Sequence, residues 1–181
     1  MNRRHLLIGA SLAAIWGASP LLAHGPSRQK VTETVLLDAS PDEVWAVIGN
    51  FGDLSWFPLV TAVAVPDGAE VKSGLRRTVT WANGEQTVEV LTKWQPEKRS
   101  YSFRTVEDNI KALAVTNYSG VLTVNDQDGK ALVEWVGAFY RGFPNNDPPP
   151  ELDDEAALRT VTEAHRAGLD ALAARFTGLA N

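Results

Sequence analysis

The chain has 181 residues, with 17 basic side chains against 22 acidic ones and no cysteine. Without cysteine, disulfides, thiolate catalysis, Fe–S ligation, covalent haem attachment and a lipoprotein anchor are excluded. The net charge of −5 argues against nucleic acid and anionic lipid surfaces as partners.

Met1-Asn2-Arg3-Arg4-His5 is a basic n-region, and residues 6–22 form an uncharged apolar run. Residues 1–25 therefore read as a cleaved signal peptide, with Ala23 and Gly25 as the small residues at the cleavage site. Gly9, Gly17 and Pro20 weaken the run as a spanning helix, so no membrane span is expected after cleavage. The Arg3-Arg4 pair fits a Sec leader and a twin-arginine leader equally. The expected location is the periplasm. Residues 26–181 then form one domain with 15 basic and 22 acidic side chains, a net of −7. Without disulfides it depends on an apolar core, for which six Trp and six Phe in the chain are suited.

Val31 to Leu37 reads as a strand rich in β-branched residues. Ser40, Pro41 and Glu43 spell an N-cap, a first helical proline and a capping box. They open a short helix whose apolar face holds Val44, Val47 and Ile48, with Trp45 alongside. Strands follow at Thr61–Val65, Leu75–Trp81, Gln86–Trp94, Ser100–Val106, Leu113–Val124 and Lys130–Tyr140. Asn83-Gly84 is the strongest hairpin signal, and residues 125–129 are expected as the last interstrand turn. Along Gln86–Trp94, alternation puts Val88, Val90, Thr92 and Trp94 on one face and Glu89, Leu91 and Lys93 on the other. Three prolines, Pro148 to Pro150, favour a stiff extended segment. A long helix is expected over Glu151–Phe176, stopped near Gly178, with Leu158, Val161, His165, Gly168, Leu169, Leu172 and Phe176 on its buried stripe.

Strand, capped helix, aromatic turn Leu54–Pro58, six strands and one long helix: this order resembles the START-like (SRPBCC, Bet v 1-like, polyketide cyclase-like) superfamily. The resemblance implies an α+β helix-grip fold, a curved antiparallel sheet of about seven strands around a long C-terminal helix, with a cavity between them. A narrower stretch, Gly137 to Glu151, is similar to MxaD-like periplasmic proteins associated with methanol oxidation. That likeness implies a non-enzymatic accessory role beside a quinoprotein methanol dehydrogenase and its cytochrome c.

No Gly-x-Gly-x-x-Gly or Walker loop is present. At most two histidines remain after cleavage, His165 and, with a cut after Ala23, His24, without metal-ligand spacing, so no cofactor and no metal are expected. His165 is the one weak catalytic candidate. It sits on the inner helix face either as a cavity acid/base or as a core-edge histidine satisfied by a neighbour. Trp81, Trp94, Tyr101, Phe103, Tyr118, Trp135 and Phe139, with His165, Gly168 and Leu172, line either a cavity for a small hydrophobic ligand or a filled core. Arg104 is expected to face solvent, and Glu89 or Glu134 could partner His165. Trp56, Phe57, Tyr140, Phe143, Asn145, Asn146 and Asp147 form either a docking surface for a periplasmic dehydrogenase or cytochrome c, or loops that close the cavity. Ligand carriage is the alternative to the accessory role, and a cofactor-free cyclase or hydratase comes third.

Overall fold

The computed structural model describes residues 25–177. The leader, His24 and the stop expected at Gly178 lie outside that range. Strand β1 (Gln29–Leu37) leads into α1 (Pro41–Ile48), followed by β2 (Val60–Ala64), β3 (Arg76–Trp81), β4 (Gln86–Gln95), β5 (Ser100–Glu107), β6 (Val115–Gln127), β7 (Lys130–Arg141) and α2 (Asp154–Thr177). The seven strands form one antiparallel, curved sheet in the order β1-β7-β6-β5-β4-β3-β2. This is the helix-grip arrangement: a hairpin-connected meander whose first strand crosses to pair with the last. Helix α2 lies against β1 and β7 and covers the concave face.

Local chemistry sets most of these boundaries. At α1 both arms of the capping box form: Glu43 N donates to Ser40 Oγ at 3.3 Å, and Ser40 N donates to Glu43 Oε2 at 2.9 Å. The β6–β7 turn is shorter than the sequence suggests. Asp128 and Gly129 both take left-handed backbone (φ 57° and 82°), a two-residue turn that matches strand twist and lets β6 run on to Gln127. The last helix begins later than expected. Glu151 lies in a single 3-10 turn, and Asp153 caps α2 by accepting from Ala156 N at 2.8 Å. Its buried stripe starts at Ala156 and Ala157, which turns Leu158 outward.

Three arginine anchors fix the layers. Arg166 ties α2 to β1 through Glu33 Oε2 (3.0 Å) and the Thr34 carbonyl (3.1 Å). Arg141 donates to the Phe143 and Asn145 carbonyls and to Asp154, holding the proline-rich segment against the start of α2. Arg77, the third, reaches from β3 to the Phe51 carbonyl.

A bulge in β6 has the largest effect on side-chain direction. The β6–β7 register shifts between Thr116 and Ser119, and Asn117 adopts φ 51°. Asp108 holds it there, accepting from Asn117 N at 3.0 and 2.9 Å. One extra residue flips the alternation, so that both Val115 and Tyr118 point inward. Asp108→Ala is expected to lower stability by about 1 kcal/mol by freeing that amide. Asn117→Gly should stay within about 0.5 kcal/mol of wild type, because glycine takes the same backbone without strain. Urea midpoints of the two variants measure this.

Candidate functional site: a chamber between sheet and helix

The concave face of the sheet and the inner stripe of α2 enclose a cavity of about 40 Å³, room for roughly three water-sized spheres. Strands β3 and β4 contribute Arg77, Trp81, Thr87 and Glu89, and β5 contributes Tyr101, Phe103 and Thr105. Tyr118 and Trp135 come from β6 and β7, and Val161, Ala164 and His165 from α2. Trp56 and Phe57 close one end from the loop after α1. Asp108, Asn109 and Leu113 complete the lining between β5 and β6.

A second parity change decides what β4 presents. Its pairing with β5 shifts between Val88 and Glu89 and again between Leu91 and Lys93. Thr87, Glu89 and Leu91 are buried, while Val88 and Val90 sit on the outer face. The split of Val88 and Val90 from Glu89 and Leu91 is the expected one, and what is corrected is the placing of Trp94 on the face of Val88 and Val90. Counting back from Trp94 fails because the bulge lies between it and Glu89.

The chamber consequently holds a buried ion pair. Arg77 Nη2 lies 2.6 Å and Nε 2.7 Å from Glu89 Oε2, both side chains being nearly solvent-free. Arg77 Nη1 donates to the Phe51 carbonyl at 2.7 Å, and its guanidinium lies 4.0 Å from the Phe51 ring centre and 5.1 Å from that of Phe103. The desolvation cost of such a pair is large, and these added contacts offset part of it. Trp81 Nε1 donates to Thr87 Oγ1 at 3.0 Å, which fixes the indole plane beside the chamber.

At the opposite wall His165, 1% exposed, stacks on Trp135 with ring centres 4.4 Å apart, and its Nε2 lies 2.7 Å from Tyr118 Oη. Burial pushes the imidazole down to about 4, the Trp135 backbone acting weakly against it, so His165 is neutral at pH 7. Burial, reinforced by the Glu89 charge, drives the Tyr118 hydroxyl upward. Burial also raises Tyr101. One proton is thus shared between two neutral groups. When Tyr118 donates to Nε2, Nδ1 carries a hydrogen; with the other tautomer Nδ1 is an acceptor. Nδ1 and the indole nitrogens of Trp56 and Trp135 make no hydrogen bond of good geometry within the protein; the Trp135 backbone and indole lie close enough to act weakly on His165 and Tyr118. Each unpaired buried group costs about 1–3 kcal/mol. All three belong to residues of one cavity lining.

Six of the residues expected to line a cavity do so: Trp81, Tyr101, Phe103, Tyr118, Trp135 and His165. Four are placed elsewhere. Trp94 stacks on Trp45 at 5.5 Å, Phe139 packs behind Tyr118 at 6.3 Å, and Leu172 is core. Gly168 serves packing: a Cβ there would lie 2.9 Å from Trp135 and 3.2 Å from Trp56 and Phe57. For Trp56 and Phe57 the docking-anchor reading is corrected and the cavity-closing one fits: they are 5% and 4% exposed and line the chamber, and Gly168 leaves the space their rings occupy. Tyr140 and Phe143 are half-buried, and Asn145, Asn146 and Asp147 are exposed. Arg104 faces solvent. His165 is bonded to Tyr118 rather than to Glu89 or Glu134. Arg77, Thr87, Thr105, Asp108 and Asn109 were not anticipated. For Arg77, Thr87 and Thr105 the available signal is their two-residue spacing from buried Val79, Glu89 and Phe103, whereas Asp108 and Asn109 follow β5 and have no such periodicity. Among the described residues no group of His, Asp and Glu is placed to hold a metal ion, and no helix is long and apolar enough to cross a membrane.

A sheet gripping one long helix around an internal chamber defines a START-like protein with a ligand-binding fold. The chain belongs to the polyketide cyclase / dehydrase and lipid transport family, whose profile matches residues 28–177. Among solved structures it is similar to the protein XoxI from Bacillus cereus, at 26% identity and a TM-score of 0.69 over 84% of this chain and 98% of that one. It is also similar to a Bacillus thuringiensis protein (26%, TM-score 0.68, 82% and 99% covered) and a Nitrosospira multiformis protein (26%, TM-score 0.63, 82% and 96% covered). No curated protein matches it significantly.

His165 makes stability depend on pH in a defined sense. Its folded value of about 4 lies below the ordinary 6.5, so the unfolded chain takes up the proton first. Its contribution is complete above pH 6.5 and is lost as pH falls through about 4, a loss on the order of 3 kcal/mol. Urea unfolding across that window should show this dependence in wild type and a much flatter one in His165→Gln.

Proposed function

We propose that the chain binds a small, uncharged molecule carrying a hydrogen-bond acceptor, held in the chamber against Trp56, Trp135 and His165. The observation that carries this is the trio of unpaired buried nitrogens around one cavity. Two of them are indole N–H groups, which only donate, and the third is an imidazole that donates or accepts by tautomer. A carbonyl or a hydroxyl satisfies that set. An anion is disfavoured because the chamber offers it no free positive charge: Arg77 is already paired with Glu89, and His165 is neutral. A carboxylate would leave its own hydration without compensation.

The Tyr118–His165 couple is an acid–base pair in principle. The carboxylate contact that would favour a cyclase or hydratase is replaced by the tyrosine, so binding is the reading with more support. The test is titration of the labelled protein with butan-2-one, following the indole N–H resonances by NMR. Those of Trp56 and Trp135 should move and those of Trp45 and Trp94 should not, and Trp135→Phe should weaken binding roughly tenfold by removing one donor. Equal, small shifts at all indoles would overturn the reading.

A second reading is that of an exported accessory protein docking on a quinoprotein dehydrogenase or its cytochrome c. It rests on the likeness of residues 137–151 to MxaD-like proteins and on the leader-like residues 1–25. The exposed turn Asn145–Asp147 supports it, flanked by half-buried Tyr140 and Phe143 and held by three Arg141 hydrogen bonds, because a pre-ordered surface loses little entropy on docking. Pull-down from periplasmic extract should recover such a partner with wild type and lose it with Tyr140→Ala/Phe143→Ala. Recovery that is indifferent to the double substitution would remove this surface from consideration.

A further inference from the structure

A second cavity lies directly outside the first and is about ten times larger, about 440 Å³ against about 40 Å³. The two share three residues, Trp81, Leu113 and Ala164. We propose that the outer cleft holds the apolar body of the same ligand, whose acceptor-bearing head occupies the chamber: a neutral amphiphile such as a medium-chain ketone or alcohol. This inference rests on the chamber-binding reading above and extends it to the ligand's size and orientation.

Size is the first argument. The chamber accepts a group of only a few heavy atoms, less than the usual volume of a small-molecule site, whereas the cleft lies within that range. Surface chemistry is the second. Leu59, Ala82, Ala112 and Ala167 join the three shared residues to give the cleft an apolar floor, while Asn83, Thr160 and Glu163 supply the polar groups. An uncharged chain suits this lining, and Glu163 disfavours an acidic tail. Construction is the third. The cleft lies between α2, the β3–β4 hairpin and the segment before β6, and the last two are tied together. Asn83 Nδ2 donates to the Lys111 carbonyl at 2.8 Å, and Asn109 Nδ2 donates to Glu85 Oε2 at 2.8 Å and to the Gln86 carbonyl at 3.1 Å. The Ala82 amide is held by the Leu59 carbonyl at 2.9 Å. These bonds join the hairpin to its two neighbours, so the cleft has a built wall. Alanine at positions 164 and 167 keeps the helix side low. The two cavities are separated where their linings share Trp81, Leu113 and Ala164; the indole is held by Thr87 and the alanine methyl moves only with α2, so Leu113 is the one side chain of the three that can swing aside by a rotamer change.

The experiment is a binding series of alkan-2-ones from butan-2-one to decan-2-one, with tryptophan fluorescence as the readout. Each added methylene buried in the cleft should tighten binding about fourfold until the cleft is full. Ala167→Phe and, separately, Ala112→Phe should flatten that slope, and the terminal methyl of the long ketones should show NOEs to Leu59 and Ala112. Binding of butan-2-one with no chain-length dependence in wild type overturns the cleft proposal and leaves the chamber reading intact. No binding of any member, short or long, overturns the chamber reading and this one with it. A steep slope unchanged in both folded variants, without the NOEs, places the chain elsewhere and also overturns it.

Discussion

The concave face of a seven-stranded sheet has to be covered, and here a single helix does it. The closeness of that cover governs everything inside. Helix α2 approaches at Gly168, where a side chain would meet Trp135, Phe57 and Trp56, and at Ala164, where one methyl group separates chamber from cleft. The aromatic layer below is continuous: Trp56 meets Trp135, Trp135 stacks on His165, and Phe57 meets both Trp81 and Trp135. Larger residues at these helix positions would push the layers apart and convert a small, mainly apolar chamber with a few polar groups into an unspecific void.

Within that cover the polar groups are arranged so that little net charge remains. A buried arginine is matched by a buried glutamate and by a backbone carbonyl, and the imidazole is kept neutral by its own desolvation. What is left over is hydrogen-bonding capacity without charge, located on two indoles and one imidazole. On the proposed reading, that combination would select among ligands by geometry and donor count rather than by Coulomb attraction, a discrimination that salt screens poorly.

Much of this fold is legible in the sequence because its local signals agree with each other. Ser40-Pro41-Asp42-Glu43 starts a helix where the structure starts one, Asn83-Gly84 turns a hairpin, and the 3–4 spacing from Val161 to Phe176 marks the buried stripe. The site is less legible, for one physical reason: alternation is a counting rule, and a bulge breaks the count. Tyr118 faces inward only because Asn117 adds a residue, and Glu89 faces inward although Trp94, at odd spacing, is also partly buried. Glu89 reads in sequence as a possible partner of His165, and Arg77 carries no site reading, because nothing in their own strands reveals that the two meet. For Trp56 and Phe57 the sequence leaves surface anchor and cavity closure equally open, because the space that receives them is made by a glycine more than a hundred residues later.

The pairing of β1 with β7 has a consequence for how the chain reaches this state. Arg166 and Glu33 meet across 133 residues of sequence, and β1 has no strand to join until β7 exists. The meander from β2 to β7 consists of neighbours that zip locally, whereas the sheet's other edge closes only by a long return. A chain synthesised from its N-terminus therefore carries an unsatisfied first strand until nearly its whole length has emerged. During that interval the same strand edge is open to any other extended segment. Pairing with β7 ends that exposure along one edge of β1, and α2 then covers its inner face through the Arg166–Glu33 contact.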